Sequence, residues 1–308
     1  MKKSIKNILN EIKWRISAPK TTSVENVRIL KLRTEIASLP LLSVEPTASG
    51  ATKAWIKNRI ELRKNILSRD PRNFLQWEVV QKTMFHECKQ TELEFLKKQT
   101  NWNILQRALV EDSAGNPRRF TNMPESSGNL IHHLYSVVQF LNTFPDTSLQ
   151  SMSSAVEFGG GYGSMARLFY KLGFNGRYSI FDVPEFSALQ EYFLSSLNLS
   201  VPIFRKPTKE QGIVILSDIE DFKKQCALDV VDLFIATWSI SESPLELRTV
   251  ILDAVQKSKY SLLAYQAQFQ DINNTDYFKK YIKISGCDWK ELPITHLPGQ
   301  YYAFGSKK

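Results

Sequence analysis

Residues 155–164 read Ala155-Val156-Glu157-Phe158-Gly159-Gly160-Gly161-Tyr162-Gly163-Ser164. A short apolar run ends in Glu157, four glycines follow within five residues, and apolar residues then recur at helical spacing. Glycine has no Cβ, so the backbone can approach a ligand closely, and the N-terminus of a helix offers free N–H groups and a positive dipole end. The stretch therefore predicts a strand, a glycine turn and a helix, the nucleotide-type binding corner of an α/β sheet.

The glycine spacing does not fit a dinucleotide cofactor. The dinucleotide fingerprint is Gly-x-Gly-x-x-Gly. When the count starts at Gly159, Ser164 occupies the third glycine position, and when it starts at Gly161, Ala166 does. The strict fingerprint is absent in both registers, which disfavours a nicotinamide or flavin dinucleotide.

The alternation of Gly159, Gly161 and Gly163 after an acidic strand end resembles motif I of the class I S-adenosylmethionine (SAM) methyltransferases. This resemblance implies SAM as the cofactor. It also implies that the glycines pass under the methionine part of SAM and that Glu157 helps to hold its amino group. The alternative is an ordinary tight turn without a ligand.

Composition limits the possible classes of protein. A chain of 308 residues can bury a sizeable core and form one large or two modest domains. No apolar run approaches about 20 residues, so we expect no membrane-spanning helix, and we see no secretory signal. The three cysteines are odd in number and scattered, which favours a reducing, cytoplasmic location over a disulfide framework or a cysteine zinc site.

Positive charge is concentrated in the first part of the chain. The net charge is +9, and residues 1–125 carry 23 Lys and Arg against 13 Asp and Glu. One explanation is a solvated helical lid. The other is attraction to anionic partners, such as nucleotide-linked or lipid-linked sugars or the inner membrane surface. Residues 2–17 would suit a peripheral membrane helix, whereas nucleic acid is an unlikely partner because no recognised binding module is present.

The pattern changes near residue 126. Residues 1–125 predict an α-helical N-terminal region with helices at 24–37 and 52–68 and a long helix or helix pair at 73–99. Residues 126–308 alternate between strands and helices and predict a SAM-binding α/β domain. Its expected strands lie at 154–158, 177–181, 213–217, 230–236 and 260–267, and its expected helices at 129–144, 185–197, 244–257 and 274–284. A closing hairpin is expected at 289–294 and 301–305. The prediction is a Rossmann-like, seven-stranded methyltransferase sheet with a closing antiparallel hairpin.

Further cofactor contacts are predicted at three strand ends. Asp182 lies 19 residues after Gly163, where a carboxylate can accept the ribose hydroxyls, although it could instead cap the next helix. The resemblance to class I SAM methyltransferases implies that Ser217 and Asp218 face the adenine, and the alternative is again a helix cap. Trp238 follows the fourth strand and is a candidate for lining the cofactor pocket.

The choice of acceptor comes from a second resemblance. The stretches 181–185, 237–242 and 264–269 resemble the bacterial sugar O-methyltransferases, and the Asn/Asp-Pro-Pro-Tyr/Phe motif of exocyclic-amine methyltransferases is absent. The resemblance implies methyl transfer to a sugar hydroxyl of a glycan or glycan precursor in polysaccharide biosynthesis. A small-molecule or RNA 2′-O-methyltransferase and a non-catalytic SAM-fold binding protein remain alternatives.

A sugar hydroxyl is poorly acidic, so a general base or a metal would help the transfer. His133, His296 and Glu242 are the candidate bases. His132 and His133 are adjacent on one predicted helix, so only one of them can face inward. No His, Asp or Glu cluster has metal-ligand spacing, and no metal site is predicted.

Overall fold

The computed structural model describes residues 14, 16–85 and 88–307. The predicted membrane helix at residues 2–17 lies largely outside them. The helical region contains α1 (Ser23–Ser38), α2 (Gly50–Ser68), α3 (Glu78–Met84), α4 (Gln90–Lys97) and α5 (Trp102–Ala108), with a 3-10 segment at Pro71–Gln76. Helices α1 and α2 begin where Thr22 and Ser49 accept hydrogen bonds from backbone N–H groups three residues later.

The segment 73–99 does not form one long helix. Trp77 and Phe85 have extended backbone and separate the 3-10 segment, α3 and α4. Trp77 is buried in the core, and a bend there lets its large side chain pack inward. The alternative of a helix pair was therefore closer to the structure than a single helix.

The remaining elements alternate between strands and helices. The strands are β1 (Arg119–Phe120), β2 (Met123–Ser127), β3 (Ser154–Phe158), β4 (Arg177–Phe181), β5 (Ile203–Phe204), β6 (Gly212–Leu216), β7 (Leu233–Thr237), β8 (Tyr260–Gln266), β9 (Gln268–Phe269), β10 (Ile272–Asn273), β11 (Asp288–Pro293) and β12 (Gln300–Ser306). The helices are α6 (Gly128–Thr143), α7 (Ser164–Lys171), α8 (Pro184–Ser195), α9 (Ile219–Leu228), α10 (Leu245–Ala254) and α11 (Asn274–Ile284). A second 3-10 segment spans Leu149–Ser151.

The main sheet has eight strands in the order β11-β12-β8-β7-β3-β4-β6-β5. Strand β12 runs antiparallel to both β8 and β11, and every other pairing in this sheet is parallel. The predicted Rossmann-like sheet with a closing antiparallel hairpin is therefore confirmed, and the eighth strand is the two-residue edge strand β5. The chain leaves β3 for β4 on one side and later returns to β7 on the other, so the topological switch point lies between β3 and β7.

Helices cover both faces of the sheet. One face packs against α6, α7, α8 and the N-terminal helices, and the other packs against α9, α10 and α11. Leu62, Phe74 and Leu93 of the helical region share a single hydrophobic cluster with Leu168 and Tyr178 of the α/β part. The boundary predicted at 125/126 falls inside β2, and the two regions are joined by a common core.

Candidate active site

A cavity of about 420 Å³ opens at the carboxyl ends of the parallel strands, at the switch point between β3 and β7. Open α/β sheets bind their ligands at this position, and the volume lies within the range of small-molecule sites. The α/β part contributes the turn at 157–162, residues 181–184, Ser217, residues 237–239 and residues 242–244 to the lining.

The glycine turn is fixed by close packing. Gly159 has φ +74°, and a Cβ there would lie 2.3 Å from the Cβ of Ser239, a separation that no side chain tolerates. Gly161 has φ +56° and lines the cavity, where a Cβ would approach the Cγ of Met84 to 3.3 Å. Gly163 precedes α7 without a side-chain cap, which leaves N–H groups of the first turn without that partner.

Asp182 braces the glycine turn. Its Oδ2 accepts hydrogen bonds from the Gly161 N–H at 3.1 Å and from Gln190 Nε2 at 3.3 Å, and its Oδ1 accepts from the Val183 N–H at 2.8 Å. Val183, not Asp182, precedes the first residue of α8. Asp182 is therefore no helix cap, and its carboxyl group lines the cavity beside the turn.

Two buried carboxyl groups lie side by side at the ends of β3 and β4. Burial, with a smaller contribution from the charge of Asp182, raises the pKa of Glu157 to about 8, although the Tyr178 hydroxyl donates to Glu157 Oε2 at 3.0 Å. Burial raises the pKa of Asp182 to about 7, against the hydrogen bonds from Val183 and Gly161. A cation bound beside this pair would favour the ionised form of both groups.

The other predicted cofactor residues divide between the cavity and the surface. Ser217 lines the cavity, but Asp218 is exposed and its Oδ1 accepts hydrogen bonds from the N–H groups of Glu220 and Asp221 at the start of α9. The cap alternative accounts for the position of Asp218. Trp238 lines the cavity with φ +64°, and its indole N–H donates to Gln300.

The three candidate bases have different surroundings. His133 lines the cavity, but burial lowers its pKa to about 3, and its Nδ1 lies 3.1 Å from Ser164 Oγ. Glu242 lines the cavity, and burial raises its pKa to about 7, with a long 3.5 Å contact from Gln266 Nε2. A group that ionises near neutral pH is better matched to proton transfer than one that ionises near pH 3.

His296 does not line the cavity. Its Nε2 lies 2.7 Å from Oε1 of the buried Glu92, which also contacts His132 Nδ1 at 2.7 Å. The loop between β11 and β12 is thereby tied to α4 and α6. The prediction of His296 as a base near the cavity was therefore wrong, because its side chain is held by Glu92.

The helical region forms one wall of the cavity. Its contribution, which the sequence did not reveal, comes from one face of α2 and from the end of α3, namely Thr52, Trp55, Ile56, Arg59, Thr83 and Met84. The Trp55 indole N–H donates to the Glu242 carbonyl at 3.3 Å, and its ring packs edge-on against Phe186 with centroids 6.0 Å apart. This is the position expected of the lid alternative.

A buried ion pair holds this wall on the α/β part. Glu185 is fully buried at the start of α8 and accepts hydrogen bonds from Arg59, with Nε to Oε2 at 2.7 Å, and from Arg63. The spacing Arg59-x-x-x-Arg63 places two guanidinium groups on one helix face. That spacing was the available sequence signal, but it did not identify the partner.

The described residues contain no group of three or more His, Cys, Asp or Glu side chains arranged to hold a metal ion. None of their helices combines the length and apolar character needed to cross a bilayer.

No protein-family model and no curated protein matches this chain. Solved structures with a similar fold include the methyltransferase domain of bacterial CtHen1 (11% identity, TM-score 0.43, covering 58% of this chain and 100% of that chain). They also include magnesium protoporphyrin IX methyltransferase from Synechocystis with bound SAM (10%, 0.42, 73% and 100%) and the 16S rRNA methylase ArmA (12%, 0.36, 70% and 91%). At such identities these similarities assign no function to this chain.

Proposed function

We propose that this protein is a SAM-dependent methyltransferase. One observation carries the proposal: the cavity at the switch point is lined by a glycine turn and by the buried carboxyl groups of Glu157 and Asp182, of which Asp182 also holds the turn. SAM carries positive charges on its sulfur and its amino group and a negative charge on its carboxylate, and its positive net charge suits a lining that contains the acids Glu157 and Asp182. When bound, SAM supplies a methyl group activated by the sulfonium charge.

The residues divide the binding of the cofactor among them. Glu157 would accept from the amino group, and the backbone of Gly159, Gly161 and Gly163 would lie along the methionine part. Asp182 would accept from the ribose hydroxyls with the lone pairs that its bonds to the turn leave available. Ser217 and Trp238 line the cavity further along the strand ends and would contact the rest of the nucleoside.

The acceptor in this proposal is a sugar hydroxyl. The resemblance at 237–242 supports that acceptor class, and so does the charge of the cavity. Glu157, Asp182 and Glu242 are acids, and the lining contains a single arginine among the residues described, Arg59, which is paired with Glu185. An uncharged hydroxyl group fits such a lining, so the phosphate of a nucleotide or lipid carrier would lie outside it.

Glu242 is the proposed base. With a pKa of about 7 it is substantially ionised at neutral pH and can accept the hydroxyl proton as the oxygen acquires the methyl group. His133 is neutral at that pH, but its pKa of about 3 makes it a much weaker proton acceptor. We assign His133 to packing and to its contact with Ser164.

Calorimetric titration with S-adenosylhomocysteine (SAH), with NAD as the control, tests the cofactor assignment. We expect micromolar binding of SAH and none of NAD. Binding of neither would favour the non-catalytic alternative.

A transfer assay with methyl-labelled SAM then tests the acceptor on neutral glycans, phenols and RNA. Label in the glycans supports the sugar hydroxyl. Label in RNA or phenols alone would replace the acceptor while leaving the cofactor assignment intact.

A further inference from the structure

Helix α1 is apolar on two opposite sides. Leu32 and Ile36 are buried in the core, while Val24, Val27 and Leu30 are 57%, 66% and 67% exposed. Their spacing of three residues places the exposed side chains along one side of the helix. A surface helix that packs only on its own protein needs one apolar side, and the contacts among the described residues do not account for the second side of α1.

Helix α2 repeats this arrangement and adds positive charge. Ile60 and Leu67 are 42% and 46% exposed, and Lys57 and Lys64, which are also exposed, lie on the same side at spacings of three and four residues. No residue that the structure describes forms an ion pair with either lysine. On its other sides α2 buries Leu62 in the core and lines the cavity.

The two exposed sides lie on neighbouring helices. Helices α1 and α2 pack against each other and both contact α8, and Val27 also borders a groove between α1 and α8. We call the two exposed sides together the outer face; they consist of Val24, Val27, Leu30, Lys57, Ile60, Lys64 and Leu67. Within the described residues, eight of the fourteen exposed large aliphatic side chains lie in 16–67. Residues 16–69 carry ten Lys and Arg against four Asp and Glu.

We propose that the outer face docks on a lipid bilayer whose surface carries anionic headgroups. Aliphatic side chains can enter the boundary between headgroups and acyl chains, and lysines beside them attract the anionic surface. A nucleic acid would use the lysines but leave the aliphatic side chains in water. A second copy of this chain would place positive charge against positive charge.

Docking in this way has a consequence for the cavity. One helix, α2, would touch the bilayer with Lys57, Ile60, Lys64 and Leu67 and line the cavity with Thr52, Trp55, Ile56 and Arg59. The cavity wall would then lie at the bilayer surface, where a lipid-linked acceptor is found. This consequence rests on the proposed function, whereas the docking itself does not.

Vesicle co-sedimentation of the full chain tests the proposal. We expect binding to vesicles of phosphatidylcholine mixed with phosphatidylglycerol, loss of that binding in high salt, and little binding to phosphatidylcholine alone. The variant K57Q/K64Q should lower the partition coefficient on the order of tenfold or more. The variant V27S/L30S should lower it on the order of tenfold. Both variants should bind SAH as the parent does, which verifies folding independently of the docking.

The matched controls lie on α11, on the opposite face of the sheet. The variant K279Q/K280Q removes the same charge from exposed lysines, and Ile284→Ser removes an exposed aliphatic side chain; both should bind vesicles as the parent does. Full vesicle binding by both outer-face variants would overturn the proposal and direct attention to residues 1–13. Equal losses in the controls would also overturn it. So would lysine-dependent binding of RNA without vesicle binding, or self-association that V27S/L30S abolishes.

Discussion

The α/β part and the helical region supply the same cavity in different ways. The α/β part contributes residues at the ends of consecutive parallel strands, and sheet topology alone brings these ends together. The helical region contributes α2 and α3, whose positions depend on contacts between residues more than a hundred positions apart, such as Arg59 with Glu185. The strand-end part of the lining, which we call the floor, can be predicted from local sequence patterns. The wall formed by α2 and α3 depends on contacts between residues far apart in the chain.

This difference implies different sensitivities. Substitutions at the strand ends should change ligand binding, because the side chains and the glycine turn there line the cavity directly. Substitutions in the contacts of the wall should change stability and the closure of the site. Measurements of stability and of ligand binding therefore separate these two effects.

The largest expected effect concerns the ion pair that joins the helical wall to the α/β part. Glu185→Ala leaves Arg59 and Arg63 without their buried partner, which should lower the free energy of unfolding by about 3 kcal/mol or more, measured by urea denaturation. Glu191→Gln is the matched control, because Glu191 pairs with the exposed Lys31 and the partly exposed Arg205 and should cost less than about 1 kcal/mol. If both variants lowered the free energy of unfolding equally, the Glu185 ion pair would stabilise the wall no more than a surface ion pair does.

Glu242→Gln should lower kcat about 100-fold or more, because the amide cannot accept the hydroxyl proton. SAH affinity should stay within about twofold, which titration calorimetry measures. His133→Asn serves as the comparison and should retain most of its activity per folded molecule. A greater loss of kcat in His133→Asn than in Glu242→Gln would reverse the assignment of the base.

Gly161→Ala should weaken SAH binding on the order of tenfold or more, because it places a Cβ in the cavity at φ +56° and strains the turn. Gly286 provides a matched control with φ +69° and no atom within 4 Å of the position of its Cβ. Gly286→Ala should cause similar backbone strain in thermal melts and leave SAH affinity unchanged. If both variants bound SAH like the parent, the glycine turn would not approach the ligand.

The smallest expected effect is a pH dependence of the floor. Because burial raises the pKa of Glu157 to about 8 and of Asp182 to about 7, the folded protein holds more protons than the unfolded chain between about pH 4.5 and 8. The unfolding free energy contributed by these groups therefore falls as pH rises through that window. The cationic amino group of SAM should displace the proton of Glu157, so the affinity for SAM should rise roughly tenfold between pH 6 and pH 7.

Calorimetry in buffers of different ionisation enthalpy measures the proton release directly. Glu157→Gln should release fewer protons than the parent on binding SAM. Release that is unchanged in this variant would show that Glu157 does not face the cationic group.

Local sequence patterns predicted the sheet closely. The predicted strands 154–158 and 177–181 coincide with β3 and β4, and the predicted helix 274–284 coincides with α11. Strand β7 begins later than expected, because Asp232 turns its carboxylate to the backbone N–H groups of Ser153 and Ser154. The alternation of strand and helix patterns and the spacing of the glycines are local properties of the sequence, so they can be recognised without knowledge of the fold.

The sequence by itself determined the main strands of the sheet, the glycine turn and the acids at the strand ends, because each depends on residues close together in the chain. Only the tertiary structure decided that Asp182 braces the turn, that Asp218 caps a helix, and that His296 binds Glu92 instead of lining the cavity. It also decided that Trp55 and Arg59 form a wall of the site. Each of these outcomes depends on which distant groups compete for the same hydrogen bond or the same buried space, and no local pattern records that competition.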